Sequence, residues 1–467
     1  MVVSHDKTYE KGYIIVEDEK IVDVGHHNKD TPDIPPFPLE NFDEVIDAKG
    51  MVCMPGGVDP HTHLEMDLSK DVQTVDNFFD GTACAALGGT TMIIDYAAAD
   101  SNNDYCGGVD VYHEKAAKCA VDYSFHIMVH DVHENTEEQL VRLKQSGVTT
   151  VKYFLAYPDR LMLRDDAVFK LLDICAKHKL LPQLHAENGA LVDRGRHEIA
   201  EVQGILSPQG HVLSRLPHCE VDALVHGGMA AIATKTPLYV VHNSCGAAAE
   251  AITMINRMGG VVVGECTAAH LALDWTGAFS DDFATAAAHI FSPPLRKPET
   301  HEEVKGALFS DEFIIVATDH CAFSTEQRMP GRHDFRKMPN GAIGLEERMT
   351  IVWTLLVEEM HASYEKFVQW TSYNACKILG IPNKGAIEVG YDADIVIWDR
   401  NKYHTLSAKT HRSNVDVSPW EGFKCRGKAS TVLSRGKVIV RNEELVNDAE
   451  GHGKFVPRGV SPLFNQL

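Results

Sequence analysis

Short apolar runs rich in β-branched residues recur through the middle of this chain: TTMIIDYA, YSFHIMVHD, TTVKYFLA, LLPQLHAE, PLYVVHNS, VVVGECT and FIIVATDHC. Helix-length amphipathic stretches such as EEQLVRLKQSG lie between them. Few folds accept this alternation, because strands that take turns with helices pair in parallel, and at this length the commonest closed form is a (β/α)8 barrel. We predict an α/β fold with the barrel over residues 56–385. On either side the text changes: GYIIVEDEKIVDVG and the proline-rich TPDIPPFP precede it, and GAIEVGYDADIVIWDR and ASTVLSRGKVIVRNEELV follow. These read as strands broken by Gly, Asp and Pro turns, so residues 1–55 and 386–449 are expected to build one smaller β-sandwich-like domain together. Residues 450–467, rich in Gly and Pro, are expected to form a C-terminal arm.

Composition supports two units. A chain of 467 residues exceeds the size at which single cores stop growing, and 44% hydrophobic against 24% charged residues gives enough apolar material for a sizeable core. Asp and Glu outnumber Lys and Arg by 66 to 44, a formal charge of −22. Such a balance repels nucleic acid and anionic membranes, so neither is expected as a partner. Eleven cysteines without paired CxxC spacing suit a reducing compartment. The start of the sequence has no apolar signal core, and no stretch offers ~20 consecutive apolar residues, so we expect a soluble cytoplasmic protein.

The chemistry gathers at the ends of the strand-like runs. MPGGVDPHTHLEM ends in His61 and His63, two residues apart, which puts both imidazoles on one side of an extended strand, a metal-ligand spacing. Other runs end in Lys152, His185, His242 and Asp319. In a barrel of this kind the C-terminal strand ends converge on one pocket, where four histidines, a carboxylate and a lysine make a metal site. Each alone could be a satisfied polar residue; jointly that reading fails. Lys152 is the odd member. An ammonium is costly to bury in an aromatic, β-branched run and cannot coordinate a cation, so something must alter its chemistry.

Taken in order, GVDPHTHLEM, VKYFLAY, HAEN, VHNS, FSPPLR, ATDHCAF, MPNGAIGLEERM and GYDADIVIWD resemble the cyclic amidohydrolases, and within them the dihydropyrimidinase and D-hydantoinase family, over nearly the whole chain. The resemblance implies a two-zinc site: His61, His63 and Asp319 on the more buried ion, His185 and His242 on the more exposed one. Lys152, carboxylated by carbon dioxide to N6-carboxylysine, would bridge the two. It further implies that zinc-activated hydroxide opens 5,6-dihydrouracil, dihydrothymine or a hydantoin to an N-carbamoyl amino acid. Asp319 would serve as base and then acid, Tyr157 as the oxyanion-binding phenol, and the main chain at Ser292 and Asn340 as the reader of the ring's amide edge. A homotetramer with a small cyclic amide or ureide substrate is implied as well, the arm after Glu450 docking on a neighbour.

One departure from the family pattern follows HTHLEM, where this chain has Asp67, Leu68, Ser69 and Lys70 in place of Pro, Phe and glycines. That segment lines the substituent side of the pocket, where Leu64 and Phe154 are also expected to pack near the ring. Glu187 is a candidate support for His185, and Cys321 reads as a small buried residue rather than a ligand. Allantoinase is the nearest rival activity. Dihydroorotase is less fitting, since its charged substrate wants an arginine clamp and only Arg160 and Arg296 are available. A non-catalytic scaffold homologue is the rival of another class, and it is opposed by the six competent ligand positions.

Overall fold

Eight strands, all parallel, form the central sheet of the computed structural model, which describes residues 1–26, 37–158 and 160–467. They are β1 (Gly57–Thr62), β2 (Thr90–Ala97), β3 (Asp122–Met128), β4 (Thr150–Phe154), β5 (Leu181–His185), β6 (Leu238–Asn243), β7 (Val262–Thr267) and β8 (Phe313–Ala317). Each pairs with its successor, and the barrel closes where β8 returns to β1. At that seam the His63 amide donates to the His320 carbonyl at 2.8 Å. The carboxylate of buried Asp59 accepts from the Thr318 amide and hydroxyl at 3.2 and 2.6 Å.

Helices supply the crossovers, and local sequence sets their ends. α1 (Phe78–Leu87) starts at Asn77 and α2 (Tyr105–Lys115) at Asp104, each side chain accepting an amide proton of the first turn. α3 (Thr136–Gln145) and α4 (Asp165–His178) open with acidic residues and close with basic ones, in the sense the helix dipole favours. α5 (Pro217–Thr234) begins on proline, whose missing N–H costs nothing there. α6 (Gly246–Arg257) and α7 (Thr300–Phe309) continue the outer ring, and the helical run over 364–379 packs on β1 and β8.

Along the strands, positions of one parity are polar yet buried: Ser124 and His126 on β3, Thr150 and Lys152 on β4, Gln183 and His185 on β5. Side chains two apart share a face, so these residues stack in layers inside the barrel. The opposite parity is apolar, with Phe125, Ile127, Val151, Tyr153 and Leu184 buried in the core.

Both ends of the chain build the second sheet. Its order runs from Glu444–Leu445 through Lys437–Arg441, Lys424–Ser434 and Ile395–Thr405 to Val52–Pro55, Val2–Val3 and Thr8–Tyr9. A hairpin, Gly12–Glu17 with Lys20–His26, forms its own two-stranded sheet, and its Ile14, Val16 and Val24 pack on Val2, Ile397 and Leu433 of the larger one. Gly56 joins this sheet to β1; a β-carbon there would fall on the Thr91 side chain, so the chain can pass only as glycine. The proline-rich run at 31–38 lies, but for its last two residues, outside the described residues.

The C-terminal segment lies along its own barrel. Val456 donates to the Tyr123 carbonyl at 2.7 Å and Arg458 to that of Gly147 at 2.9 Å. No described helix is long and apolar enough to cross a membrane.

Candidate metal centre

The strand ends bring the expected donors into one cluster. Asp319, in the turn after β8, places Oδ1 3.0 Å from His61 Nε2 and 3.2 Å from His63 Nε2. On the far side His242 Nε2 lies 2.8 Å from His185 Nδ1. Donor atoms of His61, His242 and Asp319 all fall within 4.8 Å of one another. Lys152 is buried at the centre, its Nζ 4.4 Å from the centroid of the Tyr96 ring and 5.3 Å from that of Phe154.

Three residues of the site have left-handed backbone. His242 and Asp319 have φ of +41° and +54°, and Tyr157, in the loop after β4, has +62°. Non-glycine residues rarely adopt this region, and such residues persist where the surroundings over-determine them, as at sites that must aim a side chain. For His242 the aiming is visible: the β6–β7 register shifts between Val240 and Asn243, and the freed His242 amide donates to Glu265 Oε1 at 3.0 Å.

Glu265 organises the cluster from beneath. Fully buried on β7, it also contacts His61 Nδ1 at 2.7 Å through Oε1 and accepts the Tyr239 hydroxyl at 2.7 Å through Oε2. The sequence reading passed over it, although a carboxylate inside VVVGECT is the same anomaly that singled out Lys152. Glu187 performs a parallel task for His185, at 2.9 Å, and is itself held by Arg215 at 2.6 Å.

Electrostatics follow from this layout. Burial disfavours the His61 imidazolium, but Asp319 and Glu265 outweigh it and raise the pKa to about 9. Burial dominates at His63 and lowers it to about 4. For Lys152 burial again wins over the attraction of Asp319 and Glu265, and the amine falls to about 8. The Asp319 carboxyl lies well below its ordinary range, since His61 and His63 overcome the cost of burying it. Glu187 falls to about 2 despite burial, because Arg215 and His185 flank it.

The donor set fits a divalent metal. Buried His63 Nδ1 and His242 Nδ1 have no hydrogen-bond partner among the described residues, and His61 Nε2 meets only the Asp319 carboxylate, a costly arrangement unless an ion takes these lone pairs. Imidazole with carboxylate is the ligand chemistry of zinc and its neighbours. Only the Lys152 ammonium is out of place.

Of the remaining expected residues, Tyr157 and Ser292 are neighbours. Burial raises the Tyr157 phenol, with Arg215 and the Ser292 hydroxyl acting the other way. Asn340 approaches through its backbone, since the Gly341 amide donates to the Ile290 carbonyl at 3.0 Å. The expectation that Leu64 packs near the ring with Phe154 fails. Leu64, past the end of β1, is buried against Gly81 of α1, whereas Phe154 packs with Tyr96, Met128 and Tyr157.

The segment with Asp67 and Ser69 is a hairpin strand paired with Val72–Gln73, tied down by Lys115 to the Glu65 carbonyl and by Arg160 to that of Leu68. Arg296 is committed to Glu220 at 2.9 Å and is not free to clamp a substrate carboxylate. Cys321 is buried, like every other cysteine, and none is in a disulfide.

Comparison with known proteins agrees with this geometry. The profile of the amidohydrolase family matches residues 52–439. The chain is 38% identical over 416 residues to the dihydropyrimidinase of Arabidopsis thaliana, covering 89% of this chain and 76% of that one. It is 35% identical over 449 residues to the D-hydantoinase of Geobacillus stearothermophilus, covering 95% and 92%. The crystal structure of dihydropyrimidinase from Brevibacillus agri superposes with a TM-score of 0.92 at 37% identity, covering 98% of this chain and 97% of that one. This chain belongs to the amidohydrolase family, in its dihydropyrimidinase and hydantoinase branch.

Proposed function

We propose that this protein is a dihydropyrimidinase, which adds water across the ring amide of 5,6-dihydrouracil or dihydrothymine, and of hydantoins, to give N-carbamoyl amino acids. The observation that carries the reading is the convergence of His61, His63, His185, His242 and Asp319 around a buried Lys152 that has no carboxylate within ion-pair distance among the described residues. Two zinc ions, His61, His63 and Asp319 holding one and His185 and His242 the other, would supply Lewis acidity and lower the pKa of a water at the site.

The chain's own residues do the rest. Lys152, as a free amine, attacks carbon dioxide; its nitrogen loses a proton, and the resulting carbamate is an anion able to bridge two cations. Asp319 accepts a proton from the attacking water as the new C–O bond forms, then returns it to the ring nitrogen as the C–N bond breaks. Tyr157 carries its phenolic proton at neutral pH, as any phenol does and burial only reinforces, and donates a hydrogen bond to the developing oxyanion. Main-chain groups at Ser292 and Asn340 read the amide edge of the ring. Glu265 and Glu187 hold the His61 and His185 rings in the orientation the ligands need.

We read residues 56–385 as the catalytic unit, 1–55 with 386–449 as the smaller one and 450–467 as the arm. The protein is proposed to work as a cytoplasmic homotetramer. The test is hydrolysis of dihydrouracil, 5-substituted hydantoin, allantoin and dihydroorotate side by side, after loading with zinc and bicarbonate. Preference for dihydrouracil is expected. Turnover of allantoin alone would move the substrate assignment, and metal-loaded protein inert on all four would overturn the hydrolase reading.

A further inference from the structure

Away from the metal centre, a cavity of about 210 Å3 opens between the barrel and the second sheet. The end of α1 at Gly88 and the Glu346–Glu347 turn form one wall, and the strands Ile395–Thr405 and Lys424–Ser434 form the other. Its charges are segregated. Lys402 and Lys428 share a single carboxylate, Glu443, at 2.6 and 3.2 Å, which leaves one net positive charge at that end. Opposite them stand two adjacent carboxylates. Glu346 accepts the Arg412 amide at 2.8 Å, and Glu347 lies 3.5 Å from His411, too far for a good hydrogen bond.

Polar groups here also lack partners. The indole Nε1 of buried Trp398 and Nδ1 of His404, both on the cavity wall, have no hydrogen-bond partner among the described residues. A cavity lined by segregated charge and unsatisfied buried donors is built for a polar occupant. A simple cation would meet the lysines, and a simple anion would meet the paired carboxylates, so a monopole is repelled at one end.

We propose that this cavity binds a small zwitterion of the amino-acid class, its ammonium against Glu346 and Glu347 and its carboxylate against Lys402 and Lys428. Burial, and then the charge of Glu347, lifts the Glu346 carboxyl to about 7, a strain that an incoming ammonium relieves. The site is connected to the catalytic end. The loop carrying His411 continues to Ser413 and Asn414, which donate to Asp76 at 2.6 and 2.7 Å. Asp76 in turn holds His320 at 2.9 Å, next to Asp319. Glu347 also precedes Arg348, whose guanidinium donates to the carbonyls of Val58 on β1 and Val316 on β8 at 3.1 and 2.9 Å.

Calorimetric titration of the intact protein with glycine, β-alanine and 4-aminobutyrate tests the proposal without reference to turnover, so its failure is distinct from failure of the hydrolase reading. At least one of these zwitterions is expected to bind with a Kd below about 10 mM, with propionate and propylamine about tenfold weaker or worse. Lys428→Met and Glu346→Gln, at opposite ends of the cavity, are each expected to weaken binding about tenfold. The proposal is overturned if no zwitterion binds up to about 50 mM, if either monopole binds as tightly, or if both variants bind like the parent protein.

Discussion

The amine of Lys152 and the ring of Tyr96 face each other across 4.4 Å inside the barrel, and Tyr96 also stacks on His126 at 4.6 Å between ring centroids. The lysine thus sits on an aromatic floor, with no acceptor among the described residues close enough to bind its proton, and burial brings its pKa to about 8. Carboxylation needs the free amine. At a fixed concentration of dissolved carbon dioxide, zinc uptake by metal-free protein should therefore accelerate as pH rises from about 7 to about 9 and level off above that. The sign for stability is the same: a folded pKa of about 8 against 10.5 means the unfolded chain binds more protons between those values, so metal-free protein gains stability as pH rises through that window. Zinc uptake independent of pH would contradict the assignment.

Glu265→Gln preserves volume but puts an amide where His61, the His242 amide and Tyr239 all meet a carboxylate. Loss of such support typically costs about 10–100-fold in metal affinity. Chelator competition should show a loss of that size, with a smaller one for Tyr239→Phe. An unchanged zinc affinity in Glu265→Gln would remove the carboxylate from the account.

Tyr157→Phe deletes one hydroxyl at a position whose packing is made by its ring. Turnover should fall about 10²–10³-fold with KM little changed, the signature of a donor used in the transition state. A rise in KM at constant kcat would make Tyr157 a binding residue instead.

Arg458 reaches from the C-terminal segment into the barrel floor. It donates to Ser124 at 3.0 Å, to Thr150 at 2.8 Å and to the Phe125 carbonyl, while Thr150 meets His126 at 2.5 Å. Arg458→Ala should destabilise the fold by about 3 kcal/mol, since buried acceptors lose their donor. Thermal melting measures this; an unchanged melting temperature would mean the arm is dispensable to the subunit.

The barrel and its candidate ligand positions are legible because several of the compact apolar runs carry an out-of-character residue at or near their C-terminal end, Lys152, His185, His242 and Asp319 among them, and strand ends meet by topology alone. What escaped reading is what depends on contacts between distant strands. Glu265 carried a local signal, a charge within VVVGECT, but nothing in its neighbourhood says that it serves both His61 and His242. Arg458 carried none, because its partners on β3 and β4 lie about 300 residues away in sequence. Leu64 was misplaced for a different reason: it lies just past the end of β1, where the chain turns and its side chain packs against Gly81 of α1.

The central claim is that Lys152 bridges two metal ions, and metal stoichiometry tests it most directly. Protein loaded with zinc and bicarbonate should hold two ions per chain, whereas Lys152→Ala, loaded alike, should hold fewer and lose at least about a hundredfold in turnover. Two tightly held zinc ions and near-normal turnover in Lys152→Ala would contradict the account.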